Sequence, residues 1–190
     1  MDIQFSESGL SISLHKTHPV KHFARPQSQR QCQEFLGLCN WFRRWIPGHA
    51  TIAQPITALT QRDCKFHWSP SCEAAFLKLK ELFCNSSVLR FAQLDLPFTL
   101  ICESNLSGIG YTLCQGQGHV NIKGNFYAIE YGSRALTKAE RLYSASEIEF
   151  FYLCVGYQTM KKLSDQSLLS FFETDHKCLI YLKNFTTNNI

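Results

Sequence analysis

Acidic residues in the second half of the sequence stand where carboxylates can bind a metal ion. Glu103 and Asp175 each stand at the end of a predicted strand, and Glu147 and Glu149 stand in the first turns of a predicted long helix. Acids at strand ends face the cleft side of an α/β sheet. Three converging carboxylates form a hard oxygen site for Mg²⁺ or Mn²⁺. Surface acids that suit solvent and the helix dipole give the same pattern, so the pattern alone leaves both interpretations open.

A second candidate site is the aromatic and basic segment 41–45, WFRRW. The helical period sends Phe42 to the core and places Trp41 and Arg44 elsewhere on the helix. Arginines interleaved with aromatic side chains can contact phosphates and stack on sugars or bases. Ordinary packing, with arginines that extend their charged ends into solvent, explains the same residues.

The charge of the chain is unevenly distributed. The 190 residues carry a formal net charge of +4. Residues 1–92 hold 11 Lys/Arg and 6 Asp/Glu, whereas residues 93–190 hold 8 and 9. This split suggests two modules, of which the first is better suited to a polyanion. A solvated basic face without a partner is the alternative.

Composition excludes several classes of protein. Apolar residues make up 45 % of the chain, which excludes a disordered tail. No apolar run approaches the roughly 20 residues of a membrane-spanning helix, and the N-terminus lacks the pattern of a signal peptide. We therefore expect an intracellular protein, cytoplasmic or nuclear, without a membrane partner. The nine cysteines form no C-x-x-C pair, which favours reduced structural thiols.

Hydrophobic periodicity predicts helices first and strands afterwards. Residues 1–26 are predicted as one or two strands and a connector. Helices are predicted at 28–45, at 52–59 and from Ser69-Pro70 onward, where Ser is a cap and Pro takes the first helical position. The second half is predicted as β-β-β-α-β-α. Its first three strands, 97–103, 109–115 and 126–133, are predicted to form an antiparallel meander. A helix with a Ser-x-x-Glu capping box follows at 144–163, then a strand at 167–174 and a helix at 176–182.

Residues 33–47, QEFLGLCNWFRRWIP, closely resemble the FLGL-x-N-[YW]-[YF]-R-[RK]-[FW]-I signature of Gypsy-type LTR retrotransposon reverse transcriptases. Further segments match this family in the same order and spacing. They are IAQPITALT (52–60), FHW (66–68), CEAAF (72–76), VL (88–89), DLPF (95–98), GIG (108–110), YAIEYGSR (127–134), AERLYS (139–144) and TDHK (174–177). The resemblance extends over nearly the whole chain.

The resemblance implies a fold of the α+β or α/β class in two parts. Residues 1–92 would be the tail of the reverse transcriptase palm and a small helical thumb/connection module. Residues 93–190 would be a C-terminally truncated RNase H-like domain with a mixed sheet. On this resemblance, we expect the sequence to lack a polymerase palm before the first part and to end before the fifth strand, the last helix and the late acidic residue of such a domain.

The resemblance also implies roles for individual residues. The family's catalytic, metal-binding acids fall on Glu103, Glu149 and Asp175, which would hold Mg²⁺ or Mn²⁺, while Arg43, Arg44 and Trp41 would touch the nucleic-acid duplex. The family has Asp where this chain has Glu103. A glutamate adds one methylene, whereas metal–ligand distances tolerate only ~0.2 Å. We therefore expect nuclease activity to be badly reduced or lost.

The predicted function is that of a fragment of a retrotransposon reverse transcriptase/RNase H. The family activity is RNA-directed DNA synthesis with Mg²⁺-dependent cleavage of RNA in RNA–DNA hybrids, inactive or impaired in this chain. Expected partners are an RNA–DNA hybrid or template–primer duplex and the rest of the Pol polyprotein; the oligomeric state is left open. One alternative is a non-catalytic nucleic-acid-binding module, co-opted or decayed. Another is an interaction module without activity.

Overall fold

The computed structural model describes residues 2–93, 95–105, 108–116, 126–137, 139–144, 147–148 and 171–173. In these ranges, helices fill most of the first half and strands fill the second. The elements are β1 (Ile3–Ser6), β2 (Gly9–Ile12), α1 (Leu14–Lys21), α2 (Gln29–Trp41), α3 (His49–Ala58), α4 (Pro70–Cys84), β3 (Thr99–Asn105), β4 (Gly108–Gln115), β5 (Tyr127–Ala135) and β6 (Phe171–Glu173). Short 3-10 turns span Arg43–Trp45 and Glu140–Leu142.

Two helices begin where their capping residues predict. The Ser28 hydroxyl accepts a hydrogen bond from the Gln31 amide at the start of α2, and Ser69 does the same for the Cys72 amide at the start of α4. These bonds satisfy amides that have no partner inside the first turn of a helix. The predicted helix over 28–45 is wrong at its end, because Phe42 leaves helical geometry (φ −108°, ψ 18°) and a 3-10 turn follows.

Helix α1 contradicts the expectation of strands and a connector in residues 1–26. The strands β1 and β2 are present, and they pair as a hairpin, but Leu14–Lys21 is helical. The sequence of α1 lacks the hydrophobic periodicity of a helix, because Pro19 lies inside it and Val20 is its one buried residue. Packing against α4 outweighs the weak local preference for a helix.

The first half of the chain forms one apolar core among the helices and the hairpin. Its largest fully buried side chains include Phe35, Phe83, Ile56 and Leu79. Phe35 lies between the rings of Phe23 and Phe76, with centroid separations of 5.3 and 4.7 Å. We call residues 2–92 the helical region.

Strands β3, β4 and β5 form the predicted antiparallel meander, and their order in the sheet is β5-β4-β3-β6. The fourth strand, β6, runs parallel to β3, with Ile101 opposite Glu173. A register shift at Leu113/Cys114 marks a bulge between β4 and β5. The mixed sheet of the predicted β-β-β-α-β order is thus confirmed for its strands. We call the described residues from 95 onward the sheet region. The predicted helix 176–182 and most of helix 144–163 lie outside the described residues.

The two regions contact each other directly. Helix α3 and the Arg43–Trp45 turn pack on β5, and α3 also packs on β4. The Ala50 amide donates to Ser133 Oγ at 2.9 Å, and the Arg90 amide donates to the Ala128 carbonyl at 2.9 Å. None of the helices in the described part of the chain has the length and hydropathy to cross a membrane.

Candidate nucleic-acid interface and carboxylate site

Two buried aromatic residues hold the turn that carries the candidate nucleic-acid contacts. Phe42 and Trp45 are 4 % and 2 % exposed. The Phe42 ring meets Phe83 edge to face at 5.4 Å, and Trp45 Nε1 donates to the Leu10 carbonyl at 3.2 Å. Trp41 before these anchors and Arg43 and Arg44 between them are exposed, whereas Ile46 after them is buried.

Trp41 and Arg43 lie at the surface, as their predicted roles require. Trp41 is 73 % exposed, which is unusual because tryptophan is a highly buried residue on average. Arg43 is also exposed. An exposed aromatic face beside a cation suits stacking on sugars or bases and contact with phosphate.

Arg44 lies beside them but has a different set of partners. Its Nη2 donates to Glu130 Oε2 at 2.8 Å, and its guanidinium lies 5.8 Å from the Trp45 ring centroid. The other oxygen of Glu130 accepts from the Tyr111 hydroxyl at 3.0 Å. Arg44 is therefore held by a carboxylate of β5, a contact that the sequence does not reveal because the two residues are 86 positions apart.

His49 is buried at the start of α3, close to this turn. It is 4 % exposed, and among the described residues its Nε2 has no hydrogen-bond partner. Burial, together with the smaller effect of the nearby charge of Arg43, lowers the pKa of His49 to about 4. Sequence analysis missed this residue, because a lone histidine in an apolar stretch gives no distinctive signal.

Glu103, the first candidate metal ligand, lies in strand β3. The prediction ended this strand at Glu103, but β3 continues to Asn105, so Glu103 lies two residues inside it. Its backbone pairs with Gly110 of β4. On the other side of β3, β6 ends at Glu173, two positions before Asp175 in the sequence. The strand that contains one candidate ligand thus pairs in parallel with the strand that precedes another.

Two of the three candidate ligands, Glu149 and Asp175, lie outside the described residues. The start of the helix predicted to carry Glu149 is described, and the predicted capping box is confirmed. The Glu147 carboxylate accepts from the Ser144 amide and hydroxyl at 2.8 Å each, and the Glu147 amide donates to Ser144 Oγ at 3.3 Å. The hydrogen bond from the Ser144 amide lowers the pKa of Glu147. Glu147 is therefore a cap.

An ion pair fixes the loop between β5 and this cap. Arg134 donates through both terminal nitrogens to the two oxygens of Glu140, at 2.8 and 2.9 Å. The Thr137 amide adds a bond of 2.7 Å to the same carboxylate. The hydrogen bonds from Arg134 are the main reason that the pKa of Glu140 falls to about 2. Their spacing in sequence, six positions, is not a helical one, so sequence analysis missed the pair.

Within the described ranges, no group of three or more His, Cys, Asp or Glu side chains could hold a metal ion. The six cysteines whose side chains are described are free thiols, and four of them are buried. Burial raises the pKa of the Cys39 thiol to about 12, which fits an unreactive core residue.

Comparison with known proteins agrees with this architecture. The family described as "RNase H-like domain found in reverse transcriptase" matches residues 68–169, which is more than half of the chain. The chain is 26 % identical over 144 residues to the retrovirus-related Pol polyprotein from transposon 412 of Drosophila melanogaster, covering 76 % of this chain and 11 % of that protein. It is 24 % identical over 176 residues to the transposon Tf2-3 polyprotein of Schizosaccharomyces pombe, covering 92 % and 13 %.

Solved structures share the fold. A foamy viral protease-reverse transcriptase in complex with double-stranded DNA matches 96 % of this chain and 31 % of its own, with a TM-score of 0.71 and 14 % identity. The same kind of protein in complex with an RNA/DNA hybrid matches 95 % and 24 %, with a TM-score of 0.68 and 14 % identity. The chain spans between a tenth and a seventh of the length of the curated relatives it matches.

The family match covers α4 and strands β3, β4 and β5 and ends just before β6, and the matched relatives are transposon polyproteins. The predicted resemblance to retrotransposon Pol proteins and the predicted mixed fold are confirmed, and the chain belongs to the family of RNase H-like domains found in reverse transcriptases.

Proposed function

We propose that this chain is the thumb/connection and RNase H-like part of a retrotransposon Pol polyprotein and that it binds an RNA–DNA hybrid or template–primer duplex. The observation that carries the proposal is the parallel pairing of β3 with β6 in a chain of this family. That pairing joins the strand of Glu103 to the strand before Asp175. Foamy viral reverse transcriptases of the same fold are described in complex with double-stranded DNA and with an RNA/DNA hybrid.

In this proposal, Glu103, Glu149 and Asp175 hold divalent metal ions. A set of three carboxylates fits the preference of Mg²⁺ and Mn²⁺ for hard oxygen ligands. Two such ions, when bound, stabilise the attacking and leaving oxygens at a phosphodiester. The part of the protein is to hold the carboxylates in place, and the Arg134–Glu140 pair and the Ser144–Glu147 cap fix the start of the helix on which Glu149 is predicted.

Trp41 and Arg43 contact the duplex in this proposal. Trp41 ends α2 and Arg43 begins the turn that follows it; both are exposed, and the buried rings of Phe42 and Trp45 anchor this segment in the core. Contacts of this kind reach the phosphate backbone and sugars and are independent of sequence.

A non-catalytic binding module is the second candidate, and Glu103 is the observation that favours it. The longer side chain displaces the carboxylate by about one bond length, several times the ~0.2 Å that metal coordination tolerates. Binding by Trp41 and Arg43 does not depend on Glu103.

The decisive experiment measures cleavage of a labelled RNA–DNA hybrid with Mg²⁺ or Mn²⁺ by the whole chain and by Glu103→Asp and Asp175→Asn. Cleavage by the natural chain that Asp175→Asn abolishes supports the enzyme. Binding without cleavage, with cleavage gained in Glu103→Asp, supports a binding module that lost its nuclease through one methylene. If no variant binds the hybrid at low salt, the proposed function is wrong.

A salt titration tests the contact residues. Each phosphate contact contributes about one to the slope of log affinity against log salt. Arg43→Ala is expected to reduce this slope by about one. Arg30→Ala is the matched control, because Arg30 is 88 % exposed on α2 and pairs with Glu34 there. Equal effects of the two substitutions would show that general charge, rather than the turn, binds the duplex.

A further inference from the structure

We infer that Arg44, Glu130 and Tyr111 form a latch that fixes the helical region on the sheet, so that Arg44 is a positioning residue and not a phosphate ligand. The sequence alone grouped Arg44 with Trp41 and Arg43 as a nucleic-acid contact. In the folded protein, Arg44 bonds Glu130, and this contact distinguishes it from Trp41 and Arg43.

The latch is a chain of charge-assisted hydrogen bonds. Each oxygen of Glu130 takes one donor: Arg44 Nη2 at 2.8 Å and the Tyr111 hydroxyl at 3.0 Å. Glu130 is only 17 % exposed, whereas Arg44 is 46 % exposed. If Arg44 turned to a phosphate, a largely buried carboxylate would lose its cation, which is costly. Arg44 is thus held on the protein side.

The sheet makes room for this arrangement at Gly132. Tyr111 and Gly132 are paired across β4 and β5. The ring of Tyr111 lies against the backbone of Gly132, where a Cβ atom would overlap the ring. A glycine at this position therefore lets the tyrosine lie flat across the strand with its hydroxyl at Glu130, which is the diagonal neighbour of Tyr111 on the sheet.

The latch ends next to the candidate carboxylate strand. Tyr111 is in register with Cys102 of β3, one residue before Glu103. On the other side, Arg44 follows Arg43 directly and lies against the buried Trp45 ring. A short path of contacts thus joins the exposed turn to the backbone beside Glu103. Given the proposed function, on which this step rests, the latch sets the distance between the duplex contacts and the site of cleavage.

Hydrogen exchange tests the latch without any nucleic acid. The amides of Ala50 and Arg90 bond across the two regions, to Ser133 and Ala128. Arg44→Met keeps a long side chain and removes the charge. We expect exchange at these two amides to become about two- to fivefold faster, as loss of a partly exposed ion pair predicts. Amides inside α4 should not change.

The charge-swapped double variant Arg44→Glu with Glu130→Arg should restore slow exchange at the crossing amides. Unchanged exchange in Arg44→Met, or no restoration in the swapped variant, would overturn the latch. If Arg44→Met also exposes α4, Tyr111→Phe replaces it, since this variant removes one hydroxyl and keeps the ring. Faster exchange confined to the crossing amides in Tyr111→Phe supports the latch, and no change contradicts it.

A salt titration on an RNA–DNA hybrid tests the second half of the inference. Arg43→Met should lower the salt slope by about one, while Arg44→Met leaves it unchanged. An equal decrease in both variants would make Arg44 a phosphate ligand and overturn its positioning role. If the natural chain does not bind the hybrid, the proposed function fails, and the exchange experiment still decides whether the latch exists.

Discussion

The helical region and the sheet region are stabilised by different forces. The helical region has one continuous cluster of eighteen buried apolar residues. In the described part of the sheet region, the apolar clusters have four and three buried members. Buried apolar area is the main favourable contribution to folding, so the helical region carries most of its stability in its own core.

The sheet region instead relies on polar groups with several hydrogen bonds each. Gln115 is fully buried, and its amide bonds the backbone of Gln93 and Leu96 at 2.7 to 2.9 Å. Glu140 and Glu147 hold the loop that follows β5. Hydrogen bonds of this kind fix geometry more than they add stability. The region that carries the candidate carboxylates is therefore positioned by specific bonds, and single substitutions should disturb it locally.

The largest expected effect is the loss of a core ring in the helical region. Phe35→Ala should lower the free energy of unfolding by about 3–5 kcal/mol, because Phe35 is fully buried between Phe23 and Phe76. Urea denaturation followed by tryptophan fluorescence measures this region, since Trp41, Trp45 and Trp68 all lie in it. Leu77→Ala, at a position that is 56 % exposed, is the control. A loss below about 1 kcal/mol would remove the contrast between the two regions.

His49 makes the stability of the helical region depend on pH. Its pKa is about 4 in the folded protein against an ordinary value of 6.5. As the pH falls below 6.5 the unfolded chain binds the proton first, so stability is complete above pH 6.5 and declines until about pH 4. The loss approaches about 3 kcal/mol. His49→Leu should abolish this dependence in urea titrations at each pH. A His49 ring that titrates near 6.5 by NMR would contradict the prediction.

Gln115→Leu tests the polar character of the sheet region. The substitution removes the Gln115 side chain as partner of the Gln93 amide and of the Gln93 and Leu96 carbonyls, which should cost about 1–3 kcal/mol. The Gln93 carbonyl keeps its bond from the Leu96 amide. Circular dichroism during urea denaturation follows the loss. Gln33→Leu on the exposed face of α2 is the matched control, and it should have almost no effect. Equal stability of the two variants would mean that the bonds of Gln115 add nothing to the sheet region.

Local signals in the sequence predicted much of the fold. Ser69-Pro70 predicted the start of α4, and the Ser144–Glu147 pair predicted the capping box at the start of the helix after β5. Both signals act within one helical turn. The alternation of apolar residues predicted the three antiparallel strands, with ends displaced by one or two residues. Helix α1 could not be predicted in this way, since Pro19 is unfavourable inside a helix and packing against α4 stabilises it.

The candidate site was less predictable for a related reason. The helical period correctly sends Phe42 inward and leaves Trp41 exposed. It cannot separate Arg43 from Arg44, because the partner of Arg44 is Glu130, which is far away in the sequence. The roles of Glu103, Glu149 and Asp175 rest on resemblance to the family and stay predictions.

The smallest predicted effect comes from Glu140, which makes the stability of the sheet region depend on pH in a more acidic range than His49 does for the helical region. The pKa of Glu140 is about 2 in the folded protein, against an ordinary value of 4.5. Its pairing therefore contributes fully above pH 4.5 and is lost as the pH falls to about 2, a window that begins where the effect of His49, between pH 6.5 and about 4, is almost complete. Because Arg134 is 39 % exposed, solvent screening limits the effect of Glu140→Gln to about 1 kcal/mol at pH 7.

The readout for Glu140→Gln is local hydrogen exchange, because the Thr137 amide donates to the Glu140 carboxylate. That amide should exchange faster in the variant at neutral pH, and the difference from the natural chain in stability should vanish near pH 2. Glu34→Gln removes an exposed ion pair within α2 and should cost no more than about 0.5 kcal/mol. If both variants lose the same stability and the Thr137 amide keeps its protection, the Arg134–Glu140 pair is an ordinary surface contact. The loop before the Ser144 cap would then be held by packing, and the contrast between an apolar helical region and a hydrogen-bonded sheet region would fail in the loop that precedes the predicted helix of Glu149.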